Sequence, residues 1–397
     1  MKILFISPYL PSPLKPRSLF FLKNLLELGN SVEIFALEET GALFSAERIK
    51  SRYNLPVINA FKLNRLSTII NASIGLLGSN PLQVNYCRLK NFELAIKKSL
   101  ESRHFDIVHV ENIRAIQFIN RVNRQIPIIF DAVDCMSYRY SQFANKAGAL
   151  SKLIFTIESK KLRIYEQRAL NFVQHTIVTT QTEKERLLEI NPTAPISVIP
   201  NGVNFPKYRT CNNVNNNSFD RTIFFWGKMD YLPNKLSVMH LVKNILPIVK
   251  RSIPQVKLRI IGANPDKQIK ELNQIKGVSV NGFVEDITSE LNEYSVGAFP
   301  LLIGTGMQNK LLEAIAYGIP VVCSSLAAKP LNLVDGKHAF IRDNNESFAN
   351  AIVTLFFDNR LKYKITNNAL RYVKGKYAWE DKTLELENIY KSLSFRR

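Results

Sequence analysis

The chain has 397 residues, 46% of them hydrophobic and 22% charged, an ordinary globular composition spread over more length than one core usually serves, so two domains are expected. No window approaches the ~18 apolar residues of a membrane span, and the opening MKILFISPYL reads as a first strand rather than a secretory leader, which leaves the chain expected in the cytoplasm. The net charge of +20 is shared by both halves and suits phosphate-bearing partners of any kind, while Cys87, Cys135, Cys211 and Cys323 lack the spacing of a zinc site or disulfide framework and are expected to be reduced thiols.

In chain order, residues 2–7 form a short apolar run of the kind that makes a buried parallel strand. A proline-rich loop follows (Pro8, Pro11, Pro13, Pro16), then a helical period over 18–28 that Gly29 is placed to end, then a strand over 32–37. That is one βαβ unit. Further strands are expected at 56–62, 106–110, 127–131 and 176–180. Residues 201–221 are polar and asparagine-rich and read as a linker. The pattern then restarts, with strands at 222–226, 256–261, 278–280, 296–300 and 319–323. Helices are expected at 236–250, 266–275, 287–294 and 308–317. The fold class is therefore α/β, two Rossmann-like doubly wound parallel-sheet domains facing a cleft. The boundaries are 1–200 for the first domain, 201–221 for the linker, 222–375 for the second domain, and 376–397 for a helix that could cross back to the first.

The chemistry concentrates in 222–323. After the first strand come Gly227, Lys228, Met229, Asp230, Pro233, Asn234 and Lys235. A glycine there lets the backbone approach a ligand, and two lysines before a helix can hold a diphosphate. Gly262 closes the next strand in a tight turn. Gly282 and the backbone near Val284 offer an edge to a nucleobase, with Asp286 placed to cap a helix. Gly304, Thr305 and Gly306 form a glycine-rich turn whose N–H groups suit an anion. Lys310 and Glu313 follow three residues apart on one helix face, where a carboxylate can take the two hydroxyls of a ribose; a glutamate favoured by the helix dipole is the plainer reading.

Those residues, in that order, resemble the donor domain of family-4 retaining glycosyltransferases of the GT-B fold. The closest pattern is the exopolysaccharide-type subgroup with G-x-M-x-x-x-P-N and G-x-G-x-x-x-K-x-L-E-A motifs. The first corresponds to Gly227, Met229, Pro233 and Asn234, the second to Gly304, Gly306, Lys310, Leu312, Glu313 and Ala314. The resemblance implies a metal-independent enzyme without cofactor that takes a nucleotide-diphosphate sugar, UDP favoured. Lys228 and Lys235 would hold the diphosphate and assist its departure, and Glu313 would bind the ribose. The loop through Gly304, Thr305, Gly306, Gln308 and Asn309 would supply N–H groups beside Lys310. Arg17 would face the donor phosphates or the acceptor. Where many members carry an additional glutamate this chain has Thr305, and where many carry a histidine it has Glu111. Strand alternation puts His109 and Glu111 on one face, with Glu111 the nearer to the strand end and the better catalytic candidate, and His109 a packed strand histidine. Asp131 and Asp134 are further cleft candidates, Asp134 equally a helix cap.

The acceptor class implied is a glycan or lipid-linked sugar. Residues 139–168 interleave basic side chains (Arg139, Lys146, Lys152, Lys160, Lys161, Arg163, Arg168) with Leu150, Leu153, Ile154, Ile157, Leu162 and Ile164, a pattern suited to peripheral contact with an anionic membrane or to the outer face of a packed helix. Nucleic-acid binding is disfavoured, because aromatic side chains do not accompany the basic ones. A nucleotide-sugar 2-epimerase and a non-catalytic sugar-nucleotide-binding subunit are the competing readings.

Overall fold

The computed structural model describes residues 1–394 with the exception of 40, 120–124, 146, 207–220, 293 and 305. Most of the expected linker, together with Lys146, Cys211 and Thr305, lies outside the described residues. The chain divides into two compact units, Met1–Asn201 with Trp379–Arg397, and Gly202–Ala378.

In the first unit the elements run β1 (Lys2–Ser7), α1 (Pro16–Glu27), β2 (Ser31–Glu38), α2 (Ala46–Tyr53), β3 (Ile58–Lys62), α3 (Arg65–Leu77), α4 (Leu82–Tyr86), α5 (Lys90–Ser102), β4 (Ile107–Glu111), β5 (Ile128–Val133), α6 (Met136–Ala144), α7 (Ala149–Phe172), β6 (His175–Val178), α8 (Gln181–Leu188) and β7 (Ile196–Val198). The seven strands form a parallel sheet in the order β3-β2-β1-β4-β5-β6-β7. Its central strands are buried on both faces, which is why they are continuous apolar runs. Pro16 opens α1, where its missing N–H costs nothing, and Gly29, at φ +80°, closes it, with Asn30 N donating to Leu25 O at 3.1 Å. The helix Trp379–Ser394 belongs to this unit and packs on α1, Trp379 lying 5.5 Å from both the Phe20 and Phe21 rings.

Two glutamates of α7, Glu158 and Glu166, are buried and serve neighbouring helix N-termini. Glu158 accepts from Leu82 N and Gln83 N at the start of α4 (2.8 and 3.2 Å). Glu166 accepts from Met136 N and Ser137 N of α6 (2.6 and 3.2 Å). A carboxylate set against unsatisfied first-turn amides is favoured by hydrogen bonding and by the helix dipole.

The second unit continues with β8 (Thr222–Trp226), α9 (Leu232–His240), α10 (Leu246–Ser252), β9 (Lys257–Ile261), α11 (Lys267–Lys270), β10 (Val278–Asn281), β11 (Ser295–Phe299), α12 (Asn309–Ala316), β12 (Val321–Cys323), α13 (Ser325–Ala328), β13 (Phe340–Ile341), α14 (Asn345–Phe357) and α15 (Asn359–Lys374). Its six strands are parallel in the order β10-β9-β8-β11-β12-β13. Three expected helices are altered. The run 266–275 is the four-residue α11 followed by a 3-10 turn at Glu271–Gln274. The run 236–250 is interrupted by a π turn at Leu241–Ile245, just before Pro247, which has no N–H to give to the preceding turn. The run 287–294 is a single 3-10 turn, Ile287–Glu290. Asp286 caps it through Thr288 N at 2.9 Å, and an Asx turn at Asn292 (Tyr294 N to Asn292 Oδ1, 2.9 Å) then redirects the chain into β11. Among the described residues no helix is long and apolar enough to cross a membrane.

Candidate active site

In the second unit the loops after β8, β9 and β11 converge at the C-terminal edge of the sheet, and their approach is closer than side chains would permit. A Cβ on Gly262 would fall 1.7 Å from the carbonyl oxygen of Gly227, and a Cβ on Gly227, at φ +148°, would fall 2.6 Å from Asn234 Nδ2. Gly227 N donates to Ile261 O at 3.0 Å and Met229 N to Ala263 O at 2.8 Å, so the β8–β9 ladder continues past the strand ends. Met229 plugs the space beneath and is fully buried. Asn234, in the first turn of α9, bridges the loops: Nδ2 donates to Lys228 O at 2.9 Å, and Oδ1 accepts from Lys310 Nζ at 2.6 Å.

Lys310 is therefore turned inward. It is 8% exposed, lies 5.3 Å from the Phe225 ring centroid, and burial pushes its pKa down to about 7 against the pull of Glu313. The sequence places it among the donor contacts; here its Nζ donates to Asn234 and so ties the start of α12 to the loop after β8. Glu313 is half-buried and accepts from Trp226 Nε1 at 2.8 Å. Burial raises its pKa, opposed first by the Trp226 hydrogen bond and then by Lys310. Lys228 and Lys235 are the outward cations of this edge, paired with Asp230 (3.3 Å) and Asp266 (2.5 Å). Gly304 (φ +149°) and Gly306 (φ +71°) take conformations that favour glycine in the loop leading to Gln308 and Asn309 at the start of α12. A Cβ on Gly304 would touch Gln308 and Pro233, which places this loop beside the start of α9. Val284 lies in the loop after β10, packed against the core.

The first unit gathers a second set of sequence candidates. Glu111, at the end of β4, is 1% exposed and accepts from Ser7 Oγ (2.9 Å) and Tyr9 OH (2.8 Å). Asp131, its register neighbour on β5, accepts from Arg17 Nε at 2.6 Å. Arg17 also donates to Ile199 O (2.9 Å) and Asn201 Oδ1 (3.0 Å) and is 4% exposed. Expected to face donor phosphates or acceptor, it gives its Nε and Nη1 to acceptors of its own unit. Its Nη2, Asp131 Oδ1 and His109 Nε2 are buried without a hydrogen-bond partner. His109 is fully buried, stacked on Phe5 (4.4 Å), with Tyr390 OH 2.6 Å from Nδ1. Asp134 pairs with Arg139 and accepts from Thr179 Oγ1 at 3.3 Å. It does not cap α6, whose amides are held by Glu166, with Glu183 taking Cys135 N at 2.6 Å. Ser7, Tyr9, Trp226 and Tyr390 escaped the sequence reading. Tyr390 lies 281 residues from its partner, a pairing no local pattern encodes.

The family model described as Glycosyltransferase Family 4 matches residues 19–205, and that described as Glycosyl transferases group 1 matches residues 220–358. The chain belongs to the family-4 glycosyltransferases. This glycosyltransferase is 25% identical over 203 residues to a phosphatidyl-myo-inositol mannosyltransferase of Mycobacterium leprae; the match takes in 49% of this chain and spans about half of that relative (53%). Its fold is GT-B. Similar solved structures include Anabaena HepE in complex with UDP-glucose (17% identity, TM-score 0.70, 99% of this chain and 100% of that one). Another is sucrose-phosphate synthase from Thermosynechococcus elongatus (15% identity, TM-score 0.73, 100% of each chain).

Burial sets the protonation of the first-unit cluster of this glycosyltransferase. Desolvation, with Arg17 adding to it, drives the pKa of His109 down to about 3, so its imidazole is neutral. Desolvation and the neighbouring charge of Asp131 drive Glu111 up to about 7, against the hydrogen bonds of Tyr9 and Ser7 and the charge of Arg17. Glu111 is thus a proton-carrying carboxyl near neutrality. Because its folded-state pKa lies above the unfolded value, the folded chain holds more protons there. The contribution is most favourable below about pH 4.5 and is lost as pH rises through about 7. Glu111→Gln is expected to flatten the pH dependence of stability between those limits, by a difference on the order of 3 kcal/mol across the window. Denaturant melts of both proteins from pH 4.5 to 8 measure it; parallel curves would contradict the assignment.

Proposed function

We propose that this glycosyltransferase transfers a sugar from a nucleoside-diphosphate donor, a UDP-sugar, to a glycan or lipid-linked acceptor with retention at C1. The observation that carries the reading is the convergence in the second unit of two outward lysines, a glycine-rich loop at a helix start, and a half-buried glutamate. The UDP and UDP-glucose held by HepE support the donor class, and the phosphatidyl-myo-inositol named for the mannosyltransferase supports a lipid-bearing acceptor.

In the proposed reaction the donor C1–O bond breaks and the nucleoside diphosphate leaves with the electron pair. The acceptor hydroxyl oxygen bonds C1 on the same face, and its proton passes to the departing phosphate. Charge grows on that phosphate, and Lys228 and Lys235 are placed to stabilise it in the way a metal ion does elsewhere, so no metal is required. Diphosphate oxygens would displace Asp230 and Asp266 from the two ammonium groups. Glu313 takes the ribose hydroxyls, and the backbone near Val284 takes the base. N–H groups of the 304–309 stretch meet phosphate and sugar. Glu111 of the first unit, pushed up to about 7 by burial, is the alternative acceptor of that proton.

The acceptor reading extends to a surface. On α7 the side chains of Leu150, Leu153, Ile154, Ile157 and Ile164 are exposed, with Lys152, Lys160, Arg163 and Arg168 exposed among them. On α3, which meets α7 where Lys161 Nζ donates to Gly75 O at 2.8 Å, Leu66, Ile69 and Ile70 are exposed as well. Arg139 is withdrawn from this face by Asp134, and Leu162 is buried, which narrows the stretch read from the sequence. We take the occupant to be an anionic bilayer, the inner leaflet that a lipid-linked acceptor would occupy, because apolar anchors flanked by cations match its charge and depth.

Lys228→Ala and Lys235→Ala are each expected to lower kcat by on the order of 10² with melting temperature unchanged; wild-type rates with a UDP-sugar would sink the leaving-group role. In vesicle flotation the protein should rise with phosphatidylglycerol vesicles and not with phosphatidylcholine alone, and Leu153→Glu with Ile157→Glu should abolish it. Flotation indifferent to lipid charge would contradict membrane docking.

A further inference from the structure

We propose that Trp226 is a positioning residue for the nucleotide. Its indole N–H holds one oxygen of Glu313 so that the other is presented to the ribose, an inference that rests on the ribose role of Glu313. Trp226 ends β8 and is 6% exposed. Its ring stands edge-on to Phe299 (5.2 Å, 88°), and its backbone is fixed in the sheet in register with Ile261. From that fixed seat Nε1 donates to Glu313 Oε2 at 2.8 Å. An indole N–H is a donor only, so it selects the ionised carboxylate and leaves the second oxygen as an acceptor. A ribose diol needs just such an acceptor.

The rival partner for the carboxylate is Lys310, one turn earlier on α12 and close enough for the charges to be felt. Asn234 holds that ammonium at 2.6 Å. Trp226 and Asn234 thus keep apart two opposite charges that would otherwise pair and hide the carboxylate. A valine or phenylalanine at 226 would fill the strand end but could not do this.

The test is calorimetric titration of UDP, GDP and ADP, each against its 2′-deoxy form, on wild type, Trp226→Phe, Glu313→Ala and the double variant. Trp226→Phe is expected to weaken the tightest ribonucleotide about tenfold and its deoxy form little, and to have no further effect once Glu313 is alanine. Equal losses for ribo and deoxy forms, or additive losses in the double variant, would show a packing role and overturn the proposal. A wild type that does not discriminate ribo from deoxy contradicts the ribose role of Glu313 itself; a wild type and Glu313→Ala that behave as expected beside an unaltered Trp226→Phe refute the positioning alone. Should Trp226→Phe fail to fold, Trp379→Phe leaves Trp226 as the sole indole of the chain. Its emission should respond to the ribonucleotide and much less to the deoxy form, and identical responses would overturn the proposal.

Discussion

The approach of the Gly262 backbone to the Gly227 carbonyl is the contact on which the donor edge depends. A Cβ on Gly262 would meet the Gly227 carbonyl, which as backbone cannot give way, and Gly227, at φ +148°, takes a conformation that favours glycine, so the loops after β8 and β9 lie together through these two residues. Once they do, Asn234 is within reach of the Lys228 carbonyl, and Lys310 within reach of Asn234. A chain of neutral and charged hydrogen bonds then fixes the start of α9 against the start of α12. The different settings of three lysines follow from it. Lys310 lies inside this chain, whereas Lys228 and Lys235 lie on its rim, paired with Asp230 and Asp266.

The first unit solves a different problem, the burial of ionisable groups at the ends of parallel strands. Asp131 has Arg17, His109 is kept neutral, and Glu111 has two hydroxyl donors but no cation in direct contact. The consequence is a carboxyl that burial and the charge of Asp131 push up to about 7.

Much of the fold was legible because parallel strands buried on both faces are mostly apolar, as β1, β4, β5, β8 and β11 are apart from a few polar positions such as His109, Glu111 and Asp131. The second-unit loops were legible for a related reason, since glycine spacing reports backbone approach directly. The sequence could not show which way a helical side chain turns. Lys310 and Glu313 share a face in the linear pattern, but one goes to Asn234 and the other to Trp226. Nor could the sequence show that Glu158 and Glu166 are buried against helix N-termini, because the amides they serve lie on elements distant in sequence. Arg17 was expected at a ligand and is held by Asp131, a partner 114 residues away.

The most direct test of the donor edge is a thermal-shift series with UDP, GDP, ADP, CMP and dTDP and their sugars, in chelator, on wild type and Glu313→Ala. A nucleoside diphosphate at 100 times its dissociation constant adds about 2.7 kcal/mol to the folded state. The structure predicts a clear rise in Tm for one base, UDP first, that Glu313→Ala removes. No shift with any nucleotide, or a shift that survives Glu313→Ala unchanged, would contradict a donor site built on this edge.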